Sequence, residues 1–374
     1  MTHNTSGSYK EDSVEYLQHL NSLFMSNRVE DIAEFYSNFE NELDLIRWMM
    51  SRPKGKFTVQ ETDGDKSVIV VIPTSDFNSP YSMACRTEIF KGIHTIFIES
   101  AGVNSNFNYA HNMNMGVKLA LKYQPDWIIC SNDDMYKIDE PQRLTDSLSK
   151  TDPHTYDVVF TSPSPFHSVA YQLGLPKVSR RYMYALTETP SFRSINDLSG
   201  KKSIGNYMLS PMEILSGLKQ NLGTGRLVSA LEKKFHVRYV TSSARPLSEL
   251  FIENVFNYTL TGDFSIFSSY FARQHRVVGG ASLLDSHRKP ANVSYTQSIL
   301  FDETYINASE DHDLSLELGI DCNRWTTLSY RIGSHNGTTL GLGLPRLLRS
   351  IAGTVYLNFK LNTGVHPIHR ELRI

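Results

Sequence analysis

Two short stretches hold residue types that can do chemistry. In Asn132-Asp133-Asp134 three consecutive side chains carry oxygen, and such hard ligands suit Mg²⁺ or Mn²⁺ that is held jointly with phosphate. The second stretch, ILFDETYINASEDHDLSLELG at 299–319, collects Asp302, Glu303, Glu310, Asp311, Asp313 and Glu317 where a helix begins. A helix N-terminus favours acids through its macrodipole. The cluster is therefore either a solvated helix start or the setting for one carboxylate that accepts a proton. His335, in RIGSHNGTTLG, is a third candidate, because neighbouring glycines let a ligand approach the backbone.

These residues need a frame that presents them. SVIVVIP, ending at Pro73, and HTIFIES are unbroken β-branched runs, the pattern of strands buried on both faces. SNFNYAHNMNMGVKLALKYQ has helical character, and DWIICSNDDM returns to a buried strand. Strand, connection, strand, helix, strand predicts an α/β fold with a mostly parallel central sheet flanked by helices. Ligands of such sheets lie beyond the carboxyl ends of the strands. Those ends here are Pro73-Thr74-Ser75-Asp76, Glu99-Ser100 and Asn132-Asp133-Asp134.

Residues 1–55 read as a helical extension. Leu17, Leu20 and Phe24 mark one helix after a capping box of Asp12 and Glu15, and Phe35, Phe39, Leu43 and Ile46 mark a second. Arg52-Pro53-Lys54-Gly55 breaks the pattern. A main domain is expected over 56–345, with halves at 56–150 and 255–345. Between them the segment 165–245 sets twelve Lys and Arg against four acids, Arg180 and Arg181 among them. This is either a basic insertion that receives an anionic acceptor or an ordinary solvated helical segment. The tail 346–374 places Leu348, Ile351, Ala352, Val355 and Phe359 on one helical face. Such a stripe packs on its own domain or lies on a membrane surface as a peripheral contact.

A chain of 374 residues can bury a large core, and its net charge of −2 gives no general basis for binding nucleic acid. Cys85, Cys130 and Cys322 lack metal-ligand spacing and read as reduced thiols. No apolar run reaches the roughly 20 residues of a membrane span, and MTHNTSGSYKED has no signal-peptide core. A cytoplasmic protein is expected, peripheral at the membrane if the tail lies there.

Taken in order, VVIPTSD, IFIES, NMNMGVKLA, IICSNDDM, TGDFSIF, FDETYINASEDHDLSLELG and IGSHNGTTLG resemble family 2 glycosyltransferases of the GT-A fold, in the style of the rhamnosyltransferase-like members. The resemblance covers roughly 67–360. It implies inverting transfer of a sugar from a nucleotide-diphosphate donor to a hydroxyl of a glycan or lipid-linked glycan, with Mn²⁺ or Mg²⁺ as cofactor. In that reading Asp311 is the catalytic base and Glu310 orients it or holds acceptor hydroxyls. Asp134 and His335 hold the metal, and the His tilts the choice toward Mn²⁺. Pro73, Thr74, Asp76, Glu99, Asn114, Asn132 and Asp133 line the donor.

The sequence departs from the family at three places. Asn132 stands where the pattern has an Asp, Glu99 where Asp is usual, and Asp76 where Asn is frequent. A non-catalytic nucleotide-sugar or glycan binder on the same scaffold is the alternative. A sugar nucleotidyltransferase is less favoured, because PTSDFNSPYS lacks the glycine-rich loop that class needs after its first strand. Donor sugar, acceptor, linkage and oligomeric state are not written in these residues.

Overall fold

A computed structural model describes residues 14–100, 106–161, 225–235, 263–275, 277, 279, 300–306, 308–317, 324–335 and 343–362. The central sheet has seven strands. β1 (Thr58–Thr62), β2 (Asp65–Thr74) and β3 (Ile93–Glu99) come first, followed by β4 (Trp127–Ser131) and, beyond a short ribbon strand β5 (Met135–Lys137), by β6 (Val158–Thr161). β7 (Phe264–Ser268) and β8 (Trp325–Leu328) complete it, and β9 (Ile332–Ser334) pairs with β5 in the ribbon. The order is β1-β3-β2-β4-β7-β6-β8. β2, β3, β4, β6 and β8 run one way, while β1 and β7 are reversed. The mixed α/β architecture with a mostly parallel sheet agrees with the expectation.

The runs VIVVI and IFI are wholly buried because helices cover both faces of the sheet. Register then fixes the ends. Thr74 lies opposite Glu99, and Ser131 lies opposite Phe264. The reversal of β7 therefore sets Asp263, just ahead of that strand, beside Asn132 at the carboxyl end of β4. β1 was not anticipated. Four of its five residues are exposed, and TVQET has no apolar alternation to announce a strand. It is an edge strand held by backbone pairing to β3.

The flanking helices in chain order are α1 (Val14–Met25), α2 (Val29–Ser37), α3 (Glu42–Ser51), α4 (Pro80–Ala84), α5 (Tyr109–Ala120) and α6 (Pro141–Leu148). They continue as α7 (Gly225–Lys234), α8 (Ser269–Gln274), α9 (Glu310–Glu317) and α10 (Gly343–Asn362). The single helix expected from Phe35 to Ile46 is two. Asn38 bonds back to the carbonyl of Glu34 at 2.7 Å as α2 ends, and the Asn41 side chain accepts from the N–H groups of Leu43 and Asp44 at 2.9 and 3.1 Å. A cap of that kind starts a new helix. Asp12 of the expected capping box and most of 165–245, including Arg180 and Arg181, lie outside the described residues.

The first three helices and α10 meet in one helical layer. Residues of α1, α2, α3, α7 and α10 share a core of their own, with Phe24, Phe35, Tyr36, Trp48, Ile351 and Tyr356 at its centre. The tail stripe Leu348, Ile351, Ala352, Val355 and Phe359 is buried in this core. Of the two readings of this stripe, the structure agrees with packing on its own domain: α2 and α3 cover it. Among the described residues no helix is long and apolar enough to cross a membrane.

The layer is joined to the sheet side by buried charge. The Lys360 ammonium, fully buried on α10, lies 3.2 Å from Asp302 and 2.5 Å from Asp313 of α9. The Tyr356 hydroxyl also donates to Asp302 at 2.7 Å. Removing one partner of such a cluster strands the others in low dielectric. Lys360→Met is expected to cost about 3–5 kcal/mol, seen as a lower urea midpoint. Adding Asp302→Asn and Asp313→Asn to the same chain is expected to recover much of it. A Lys360→Met protein as stable as its parent would refute the clamp.

Candidate functional site

At the carboxyl end of β4 the three polar residues face three ways. The Asn132 N–H donates to the Asp263 carbonyl at 2.9 Å, and its side-chain amide donates to Asp263 Oδ1 at 2.8 Å. Asp133 turns toward β2, where the Thr74 hydroxyl donates to its Oδ2 at 2.7 Å and Cys85 Sγ donates to its carbonyl at 3.2 Å. Burial holds the Asp133 carboxyl above its usual range, and the Thr74 bond opposes this. Asp134 is different. Its Oδ1 is buried with no hydrogen-bond partner. Burial, then the charges of Asp263 and Asp133, push the Asp134 carboxyl up to about 6, with His335 opposing them.

The other donor-side candidates line the same edge. Pro73 is buried within β2. Glu99 accepts from the N–H of Phe77 at 3.2 Å and from the Thr58 hydroxyl at 3.1 Å, so it fastens the loop after β2 and the edge strand β1. Asp76 is exposed and accepts from the N–H of Asn78 at 2.8 Å, an Asx turn that shapes that loop.

His335 follows β9, and its N–H donates to the Asp134 carbonyl at 2.7 Å. Its exposed ring lies between Tyr136 and Tyr81, with centroids 5.0 and 6.0 Å away. Tyr136 covers Gly333, where a Cβ would fall 2.0 Å from the ring, so a side chain at 333 would displace this aromatic. Tyr81 and Tyr136 are 52% and 43% exposed, which leaves aromatic surface beside Asp134. Sequence reasoning missed both tyrosines, since single aromatics carry no pattern. It also passed over Asp263, although TGDFSIF displays it.

The second acid cluster approaches from the other side. Glu310 and Asp311 form the first turn of α9. Ser309 before them has φ +77°, a conformation that costs a non-glycine residue about 1–3 kcal/mol. The surroundings hold it there. A Cβ on Gly353 of α10 would fall 2.3 Å from the Ala308 carbonyl, so α10 packs directly on this turn. The turn at 300–305 is fastened to α5. Asn114 donates to the Phe301 carbonyl at 2.8 Å and to Glu303 at 3.1 Å, and it accepts from the N–H groups of Leu300 and Phe301. Asn108 donates to the carbonyls of Glu303 and Tyr305. The Asn114 amide is thus committed to this turn.

Tyr109 connects the two halves. Burial, then nearby Cys130, Glu310, Asp263 and Asp311, hold its phenol well above the usual range. The α9 acids and Asp263 thus both lie within electrostatic reach of this one phenol. Glu310 itself is buried, with Oε2 lacking a partner. Burial, then the Asp311 charge, push its carboxyl up to about 8.

The arrangement sets a buried, unpartnered carboxyl oxygen of Asp134 at the end of β4 and can hold one carboxyl neutral next to another. Among the described residues no group of three or more His, Cys, Asp or Glu side chains is arranged to hold a metal ion by itself. Comparison with known proteins finds no matching family model, no similar curated protein and no similar solved structure.

Proposed function

We propose that the chain is an inverting, metal-dependent glycosyltransferase of the GT-A fold, which moves a sugar from a nucleotide-diphosphate donor to a hydroxyl of a glycan or lipid-linked glycan. One observation supports the reading above the rest. Residues scattered from Thr74 to His335 gather at the carboxyl ends of the strands, and the Tyr109 phenol on α5 lies within electrostatic reach both of Asp263 there and of the pair Glu310-Asp311. Ligand sites of α/β sheets lie at such ends.

In this reading Asp134 and His335 would hold Mn²⁺ or Mg²⁺ together with the donor's diphosphate. The buried, unpartnered Oδ1 of Asp134 fits that use. The cation, when bound, offsets charge that develops on the leaving diphosphate. Thr74, Asp76 and Glu99 shape the loop against which the nucleoside rests. Asp311 takes the proton of the acceptor hydroxyl as the new bond to the anomeric carbon forms and the bond to diphosphate breaks. A non-catalytic binder of nucleotide sugars is the second reading. Asn132 brings no charge, and its amide is already bound to Asp263, which favours weak metal affinity.

Two measurements separate these readings. UDP or dTDP is expected to raise the melting temperature more with Mn²⁺ or Mg²⁺ than with EDTA, and Asp134→Ala to abolish the difference. Equal stabilisation in metal and in chelator counts against a metal-dependent enzyme. For the base, Asp311→Asn keeps shape but removes basicity. Turnover is expected to fall by at least ~10² with nearly unchanged donor affinity, the usual scale of general-base effects. An Asp311→Asn protein with near-parental turnover assigns the base elsewhere.

A further inference from the structure

Exposed aromatic rings are ordinary when they occur singly. Beyond the carboxyl end of β4 three of them adjoin: Tyr136 on β5, His335 after β9 and Tyr81 on α4, with centroid separations of 5.0 and 6.0 Å. All are exposed. They are also held. The outer end of the Tyr136 ring lies on the Gly333 backbone. A ribbon of three residues per strand is marginal by itself, and both ends of this one are fastened. At one end the His335 N–H donates to the Asp134 carbonyl at 2.7 Å. At the other the buried Asp139 carboxylate accepts from the Arg331 N–H at 2.8 Å and from its guanidinium at 2.9 Å. The Asp139 N–H donates back to the Arg331 carbonyl at 3.1 Å. Rings that are fixed in place yet left in water lose little freedom on meeting a ligand.

We propose that Tyr136, His335 and Tyr81 form a shelf on which one pyranose ring of the sugar acceptor stacks through its C–H face. The proposal rests on the glycosyltransferase reading for the identity of that sugar and adds where it lies. Position and tilt select the ligand. Tyr136 stands two residues after Asp134, at the strand ends where ligands of such sheets are met. The Tyr136 and Tyr81 rings stand at 49° and 51° to the imidazole. Neither tyrosine lies parallel to the imidazole, so a flat nucleobase meets only one ring of each pair face to face. A puckered pyranose directs C–H bonds at several angles and meets tilted faces together. Each face is slightly negative through the ring quadrupole, which favours the positive ends of those bonds. Contact through the faces leaves the His335 nitrogens at the edge of the shelf.

Saturation-transfer NMR tests the shelf on the full chain with the methyl glycosides of glucose, galactose, mannose and rhamnose, without nucleotide or metal. At least one glycoside is expected to bind the parent protein. Tyr136→Ala should weaken that binding about 5-fold, the scale of one aromatic contact, and Tyr136→Phe should keep it. Gly333→Ala removes no aromatic, but its Cβ needs the space of the Tyr136 ring. It should therefore weaken binding as Tyr136→Ala does. The atoms it displaces are the far end of an exposed side chain, so melting temperatures should stay near parental and separate lost binding from lost folding. Tyr81→Ala, on a different element, gives the same test where a ribbon variant melts early. UDP binding, measured separately, should not respond to Tyr136→Ala. No binding by any glycoside, undiminished binding by Tyr136→Ala or Gly333→Ala, or a loss confined to UDP overturns the proposal. Glycoside binding that persists while metal-dependent UDP binding fails would instead strike the glycosyltransferase reading and leave a sugar shelf standing.

Discussion

Much of the candidate site depends on the buried ammonium of Lys360. It reaches across from α10 to two carboxylates that lie eleven residues apart in the chain, Asp302 and Asp313. Two acids around one base leave an excess of negative charge. Burial and the Asp313 charge raise the Asp302 carboxyl, while Lys360, the Tyr356 hydroxyl and the Thr304 N–H oppose the rise. Such a cluster contributes little net stability compared with an apolar core of the same shape. Its value is register. An ammonium this deep has few alternative positions, so the 300–305 turn and the start of α9 are fixed relative to α10 together.

That register has consequences at the sheet edge. α9 carries Asp313 inward on one side and Glu310 with Asp311 in its first turn. Once Asp313 is tied to Lys360, the first turn cannot rotate without separating a buried ion pair. The Asn114 and Asn108 amides of α5 hold the 300–305 turn, where Asp302 meets the same ammonium. The neighbourhood of Tyr109 is therefore set by two independent attachments, one ionic and one through neutral hydrogen bonds. A site that needs carboxyls in different protonation states also needs them at constant separation, because their mutual charge sets which one ionises.

Local pattern was legible in the sequence, and contact at a distance was not. VIVVI, IFI and WIIC announced β2, β3 and β4 because burial on both faces selects continuous β-branched and aromatic runs. The strand ends followed directly, and with them Thr74, Glu99 and Asn132-Asp133-Asp134. β1 was invisible because an exposed edge strand has no burial to record. The break between α2 and α3 was hidden by apolar residues that keep helical spacing across it, although Asn41 is a good cap. Asp313 and Lys360 lie 47 residues apart, and no spacing rule joins them. The same holds for Gly333 beneath Tyr136 and Gly353 beneath Ala308, whose lack of a side chain has meaning only against the neighbour it admits.

The first three helices and α10 thus support the candidate site without contributing an acid to it. α1, α2 and α3 give α10 an apolar face to lie on, and Leu348, Ile351, Val355 and Phe359 are consumed by that contact. Only a helix held this firmly can press Gly353 against the strained turn at Ser309 and keep Lys360 dry. Strain of about 1–3 kcal/mol at one residue persists only when surrounding packing over-determines it. The helical layer is large enough to do so. It is the support that keeps the first turn of α9, with Glu310 and Asp311, in place.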